Sequence, residues 1–222
     1  MSMRGTLAKN TSSAGVIREL RRQIILNELQ PGTIFTELGL GSSLGCSQAV
    51  VREVLLRLEG EGLVLREGRK GTIVTDLDAA AAAEILDLRR RIETRAARTV
   101  VRRVGKGDLA ELAAIYQGMF EAAIADDLWG VVEQDMDFHE TIFRITGLHA
   151  MQPILTRCIL HTQRFKLWAP HHQRSLQQTA ERHLPILEAI RMRDPIALQR
   201  ELAVHLDTIV EEPPSSSPRR LA

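Results

Sequence analysis

Apolar positions in the first third of the chain recur at helical spacing. Val16, Leu20, Ile24 and Ile25 form one side of a helix that the serine pair Ser12 and Ser13 introduces and Pro31-Gly32 ends, at about Asn27. The stretch Thr36 to Leu63, TELGLGSSLGCSQAVVREVLLRLEGEGL, holds two more helical patterns joined by a tight Gly-containing connection. In the second of these Val50, Val51, Val54, Leu55 and Leu58 fall on one side, which leaves Gln48, Ala49, Arg52, Glu53 and Arg57 facing outward near its start. Ser47 stands at the N-cap, Leu44 and Gly45 close the turn before it, and Gly60 and Gly62 stop the helix. The period then changes: LVLRE, a turn from Gly68 to Gly71, and TIVT read as a two-stranded hairpin. Helix, turn, helix, hairpin is the order of a winged helix, and a helix start carrying Gln and Arg suits a DNA major groove. Small helical domains with no DNA role share the same order.

From Ala79 onward the pattern is helical throughout, with no further strand signal. A first long helix ends at Gly105, Asp108 caps a second to about Ala125, and Asp126 or Asp127 caps a third that stops at Gly147. A fourth runs from about Ala150 to Trp168, closed by Pro170; a fifth covers about Ser175 to Met192, with Pro185 either kinking it or marking its true first turn; Asp194-Pro195 starts a sixth. The expected fold is mainly α, a winged helix-turn-helix with a small β-hairpin wing followed by an antiparallel bundle of about six helices. The boundaries are a flexible tail at 1–12, the winged helix at 13–76, the bundle at 77–212 and a disordered tail at 213–222.

A length of 222 residues accommodates two modest domains, each with its own core. A formal net charge of +1 makes the chain no polycation, so charge for DNA has to be local, with Arg18, Arg21, Arg22, Arg52, Arg57, Arg66, Arg69 and Lys70 near the reading head. Cys46 and Cys158 fall in different predicted domains, which argues against a structural disulfide or thiolate zinc site and fits a reducing cytoplasm. No apolar run approaches a membrane span, and MSMRGTLAKNTSS lacks a signal-peptide core, so the expected location is cytoplasmic. Neither a Gly-rich phosphate loop nor a G-x-S-x-G elbow is present.

The bundle carries polar groups at inward positions. Asp135 and His139, four apart, share a helix face beside Phe138, Ile142 and Ile145. His183 opens the inward stripe of Ile186, Leu187 and Ile190, and His205 lies beside Leu198, Leu202, Leu206 and Ile209. Three helices therefore direct Asp or His toward a common interior, where a divalent cation satisfies several such groups at once. The residues alone leave two alternatives open: a surface ion pair between Asp135 and His139, and three separately hydrogen-bonded histidines.

Two resemblances sharpen this. PGT at 31–33, Glu37, Leu40, Leu44-Gly45, S-x-x-V-V-R-E-V-L from Ser47, RLEGEGLV from Arg57 and G-T-I-V-T from Gly71 resemble the N-terminal domain of GntR-family bacterial transcription regulators, over about a third of the chain. The resemblance implies sequence-specific DNA binding through Thr36, Ser47, Gln48, Ala49, Arg52, Arg57, Arg69, Lys70 and Gly71. D-x-x-F-H around Asp135 and His139, H-x-x-I-L-x-A-I-x-x-x-D from His183 to Asp194 and the His205 helix resemble the ligand-sensing FCD domain of the FadR subfamily, from about Ala80 to Val210. That likeness implies one metal ion on Asp135, His139, His183 and His205. Such a donor set favours Zn²⁺ first and Ni²⁺ second over Ca²⁺ or Mg²⁺. It also implies a small organic acid effector faced by Arg89 of LRRRIE, with Arg90 and Arg91 alongside as rivals for the inward position. His161 and Arg164 are further pocket candidates, against which stands a solvated polar edge.

The resulting expectation is a homodimeric repressor of a double-stranded operator, since one short helix reads too few base pairs alone. Gln48 departs from the arginine common in the family and predicts adenine rather than guanine in the half-site. The alternatives are a metal-free regulator that binds a larger acyl effector, and a metal-dependent hydrolase.

Overall fold

In chain order the elements are α1 (Ser13–Ile25), β1 (Ile34–Phe35), α2 (Glu37–Leu44), α3 (Gln48–Gly60), β2 (Val64–Arg66), β3 (Thr72–Val74), α4 (Ala79–Arg103), α5 (Lys106–Ile124), α6 (Leu128–Arg144), α7 (Gln152–Trp168), α8 (Leu176–Glu181), α9 (Leu184–Arg191) and α10 (Pro195–Asp207). The computed structural model describes residues 12–68, 71–168 and 174–209. Arg69, Lys70, Pro170, the tail at 213–222 and all of the tail at 1–12 except Ser12 lie outside the described residues. The chain divides into two units, Met1–Arg89 with Leu148–Phe165 and Arg90–Gly147 with Lys166–Ala222.

The first unit contains the winged helix. Ser12 caps α1 by accepting from Gly15 N at 3.2 Å, and Val16, Leu20, Ile24 and Ile25 are buried as the periodicity predicts. The helix ends close to the expected Asn27, which takes a left-handed conformation (φ 61°) two residues after Ile25. Thr36 caps α2 through Gly39 N, and Gly45 (φ 65°) reverses the chain so that Ser47 can cap α3. Val51, Val54, Leu55 and Leu58 of α3 are fully buried and pack toward α1 and α2.

The wing contains the expected hairpin, β2 paired with β3, and adds a strand to it. Its sheet has three antiparallel strands in the order β1-β3-β2, with Ile34 opposite Ile73 and Phe35 opposite Thr72. A two-residue strand leaves no period to detect, but its pairing sets the chemistry of the turn. Gly71 adopts φ 99°, and a Cβ there would lie 2.5 Å from Phe35 O, so β1 can cross only over a glycine.

In the second unit Leu112 and Met119 of α5, Val131, Phe138 and Ile142 of α6, Ile186 and Ile190 of α9, and Leu198, Leu202 and Leu206 of α10 form the core. α5 packs against α6, α8 and α9, and α9 against α10. α5 begins before Asp108: Gly105 is its N-cap, and the Asp108 carboxylate reaches back to accept from Gly105 N at 2.8 Å. The predicted fifth helix is two helices. Pro185, lacking an N–H and crowding the carbonyl four residues back at Glu181, ends α8 there and stands in the first turn of α9. Among the described residues no helix is long and apolar enough to cross a membrane.

Candidate metal centre and nucleic-acid interface

α6 is capped by Asp127, whose carboxylate accepts from Gly130 N at 2.9 Å, and it carries Asp135 and His139 one turn apart on its buried face. The break before α9 places His183 at that helix's N-cap, and α10 brings in His205. All four residues are buried; His139 and His183 are wholly inaccessible. One ligating atom from each lies within 4.8 Å of the others. Ligands held about 2.1 Å from one ion stand roughly 3 to 4 Å apart, so the cluster is near the size a single ion requires. The rings crowd one another, with centroids of His183 and His205 4.5 Å apart and those of His139 and His205 4.9 Å apart.

The outer nitrogens fix the tautomers. His139 Nδ1 lies 2.5 Å from Glu93 Oε2, and His183 Nδ1 lies 3.0 Å from Thr179 O. Each Nδ1–H donates outward, which turns each Nε2 lone pair to the centre. There His139 Nε2 meets His205 Nε2 at 3.2 Å, and His183 Nε2 sits 3.2 Å from Asp135 Oδ1 without hydrogen-bond alignment. His183 Nε2 and His205 Nδ1 are buried with no hydrogen-bond partner among the described residues. A surface ion pair is thereby excluded, and the orphaned Nε2 of His183 fits a shared cation.

Electrostatics prepare the same state. Burial pushes the Asp135 carboxyl upward, but contact with His183 and the positive potential of His183, His139 and Lys166 outweigh it and hold the group well below the usual carboxylate range. Burial lowers His183 and pushes His205 well below the usual imidazole value. A carboxylate and neutral imidazoles are the forms that ligate a metal.

On the DNA side, Gln48 and Ala49 are the first two residues of α3 and are exposed, as are Thr36, Ser47, Arg52 and Arg57. Thr36 and Ser47 spend their side-chain oxygens on caps. Glu37 accepts from Arg52 and from Arg66, both at 3.1 Å, which ties the first turns of α3 to α2 and β2. Arg57 lies 3.5 Å from Glu61. A cleft of about 430 Å³ opens between Thr36, Glu37 and Gly71.

The three effector candidates are buried, not a solvated edge. Of the rival arginines Arg89 is the inward one: it is fully buried and donates to Thr162 Oγ1 at 2.7 Å, whereas Arg90 is half-exposed beside Asp207 and Arg91 is exposed. Arg164 donates to Thr75 O at 2.7 Å and Thr75 Oγ1 at 3.2 Å, and His161 Nε2 donates to Glu61 O at 3.1 Å. Burial, with the Arg164 charge beside it, brings His161 down to about 4, and burial brings Arg164 down to about 10. Glu93 was not singled out from the sequence, although it stands four residues after Arg89 on the stripe that continues through Ala96, Ala97 and Val100.

Residues 84–208, more than half of the chain, match the FCD domain family, and residues 12–74 match bacterial regulatory proteins of the gntR family. The chain is 27% identical over 217 residues to the gluconate operon transcriptional repressor of Bacillus subtilis, covering 93% of this chain and 86% of the relative. It is 24% identical over 202 residues to the HTH-type transcriptional repressor RspR of Escherichia coli, covering 88% and 86%. Among solved structures, Escherichia coli McbR/YncC superposes with a TM-score of 0.75 at 20% identity over 88% of this chain and 93% of that one, a likeness of fold.

Proposed function

The chain belongs to the GntR family of bacterial regulatory proteins, in the FadR subfamily with a C-terminal FCD domain, and from that premise we propose that it is a repressor released from its operator by a small carboxylate bound at a divalent metal ion. Membership makes it a DNA-binding transcription regulator and not an enzyme, which removes the hydrolase alternative. The observation that carries the metal reading is the convergence of Asp135, His139, His183 and His205, with two of the rings tethered at Nδ1 so that their Nε2 atoms point inward.

Three imidazoles and one carboxylate suit Zn²⁺, with Ni²⁺ second. When bound, the ion offers an anionic oxygen donor a coordination site. The positive potential that Lys166 exerts on Asp135 and His183 favours an anion at the same place. The Bacillus relative is named for the gluconate operon, and gluconate belongs to the chelating hydroxy-carboxylates. Within their own unit Arg89, His161 and Arg164 bond to Thr162, Glu61 and Thr75, and there we assign them to effector contact.

On the operator, Gln48, Ala49 and Arg52 face base edges, while Thr36, Ser47, Arg57 and the wing residues Arg69, Lys70 and Gly71 hold phosphates. Two copies of the chain read two half-sites about one helical turn apart. The test is selection from a random duplex pool, followed by anisotropy titration of the Zn²⁺-loaded protein with acetate, citrate and gluconate. A two-fold symmetric site and weaker binding with one acid are expected. No preference over random competitor at low ionic strength would end the account, and acid response that survives chelation would favour a metal-free regulator.

A further inference from the structure

Glu93 stands behind the candidate ligand His139. It enters from α4, is 2% exposed, and places Oε2 2.5 Å from His139 Nδ1, while the opposite nitrogen of the same ring faces His205 and the centre of the cluster. Thr179 O has the corresponding position behind His183, but a carbonyl is a neutral acceptor. The two tethered rings therefore differ: one is backed by a dipole and the other by a carboxylate.

We propose that Glu93 is a positioning residue of the metal centre, accepting the Nδ1–H of His139 so that Nε2 is held in its ligating tautomer and made more electron-rich. The inference rests on the metal reading above and deepens it. A carboxylate behind an imidazole raises the basicity of the far nitrogen and fixes the ring plane; losing such a partner weakens metal affinity roughly 10- to 100-fold. Charge points the same way. Glu93 and Asp135 bring two buried carboxylates to the cluster, negative charge that a bound divalent ion would offset. The competing explanation is a buried ion pair whose only role is to hold α4 on α6. In that case neutralising Glu93 destabilises the metal-free protein and leaves metal binding alone.

The experiment uses the full chain stripped of metal, titrated with Zn²⁺ against a chromophoric chelator, in wild type, Glu93→Gln and Glu93→Asp. Unfolding midpoints of the metal-free proteins and the visible spectra of Co²⁺-loaded samples are recorded in parallel. Glu93→Gln keeps an acceptor without the charge; it should bind Zn²⁺ about 10- to 100-fold more weakly, with a displaced Co²⁺ band and no drop in the metal-free midpoint. Glu93→Asp, which keeps the charge, should recover part of the affinity. Wild-type Zn²⁺ affinity and an unshifted Co²⁺ band in both variants overturn the proposal while leaving the metal centre standing. A wild-type protein that binds no Zn²⁺ overturns the metal reading itself, and this inference with it.

Discussion

His139 Nε2 and His205 Nε2 stand 3.2 Å apart at the centre of the second unit, delivered by α6 and α10 from positions 66 residues apart. His139 carries its proton on Nδ1, toward Glu93, so its Nε2 is a lone pair. A direct hydrogen bond would need the proton of His205 on Nε2, and it would leave the buried Nε2 of His183 still unanswered. One cation answers the inward-facing nitrogens together.

Metal should therefore act as a stabiliser. At a free Zn²⁺ concentration 100 times the dissociation constant, linkage adds about 2.7 kcal/mol to the folded state. Urea unfolding with Zn²⁺ and with chelator should differ by that order in the wild type and by nearly nothing in His205→Ala. Equal midpoints for the wild type under both conditions would speak against the site.

Gln48→Arg should redirect base choice. Gln pairs with adenine N6 and N7 and Arg with guanine O6 and N7, so the preference between two operators differing at that base should invert by about 1–3 kcal/mol. Competition binding of the two duplexes checks this. An unchanged preference would place Gln48 off the base edges.

Gly71→Ala tests the wing. The added methyl meets Phe35 O at 2.5 Å and inherits φ 99°, so the reading head should lose about 1–3 kcal/mol, seen as a lower denaturation midpoint. A fully stable variant would contradict the close approach of Phe35 O to Gly71.

His161 gives a pH dependence with a definite sign. Its folded value of about 4 lies below the usual 6.5, so the unfolded chain binds the proton more readily. The associated stability is complete above pH ~6.5 and is lost as pH falls toward 4, at about 1.4 kcal/mol per pH unit. His161→Gln, which keeps a donor for Glu61 O, should flatten the stability profile by one proton between pH 6.5 and 4.5. Parallel profiles would show that His161 is not buried in solution.

Much of this was legible because periodicity reports helices that bury one side. The cores of α1, α3 and α10, and the shared face of Asp135 and His139, follow from spacing alone. Three features did not. β1 is too short to show a period. Pro185 left kink and restart equally open, and only the break between α8 and α9 decides between them. The run from His161 to Lys166 in α7 inverts the usual rule: His161, Thr162, Gln163, Arg164 and Lys166 are buried while Phe165 is only half-buried. For His161 and Arg164 the compensating partners, Glu61 and Thr75, lie about a hundred residues earlier, where no local pattern can announce them. Glu93 was hidden in the same way, its purpose visible only once His139 is beside it.

The most direct measurement is the metal content of the untagged full chain, purified without chelator and compared with His183→Ala. One equivalent of zinc or nickel per chain in the wild type, lost in the variant with its fold intact, is what the buried cluster predicts. A folded wild type that carries no transition metal and takes up none from excess Zn²⁺ would contradict it.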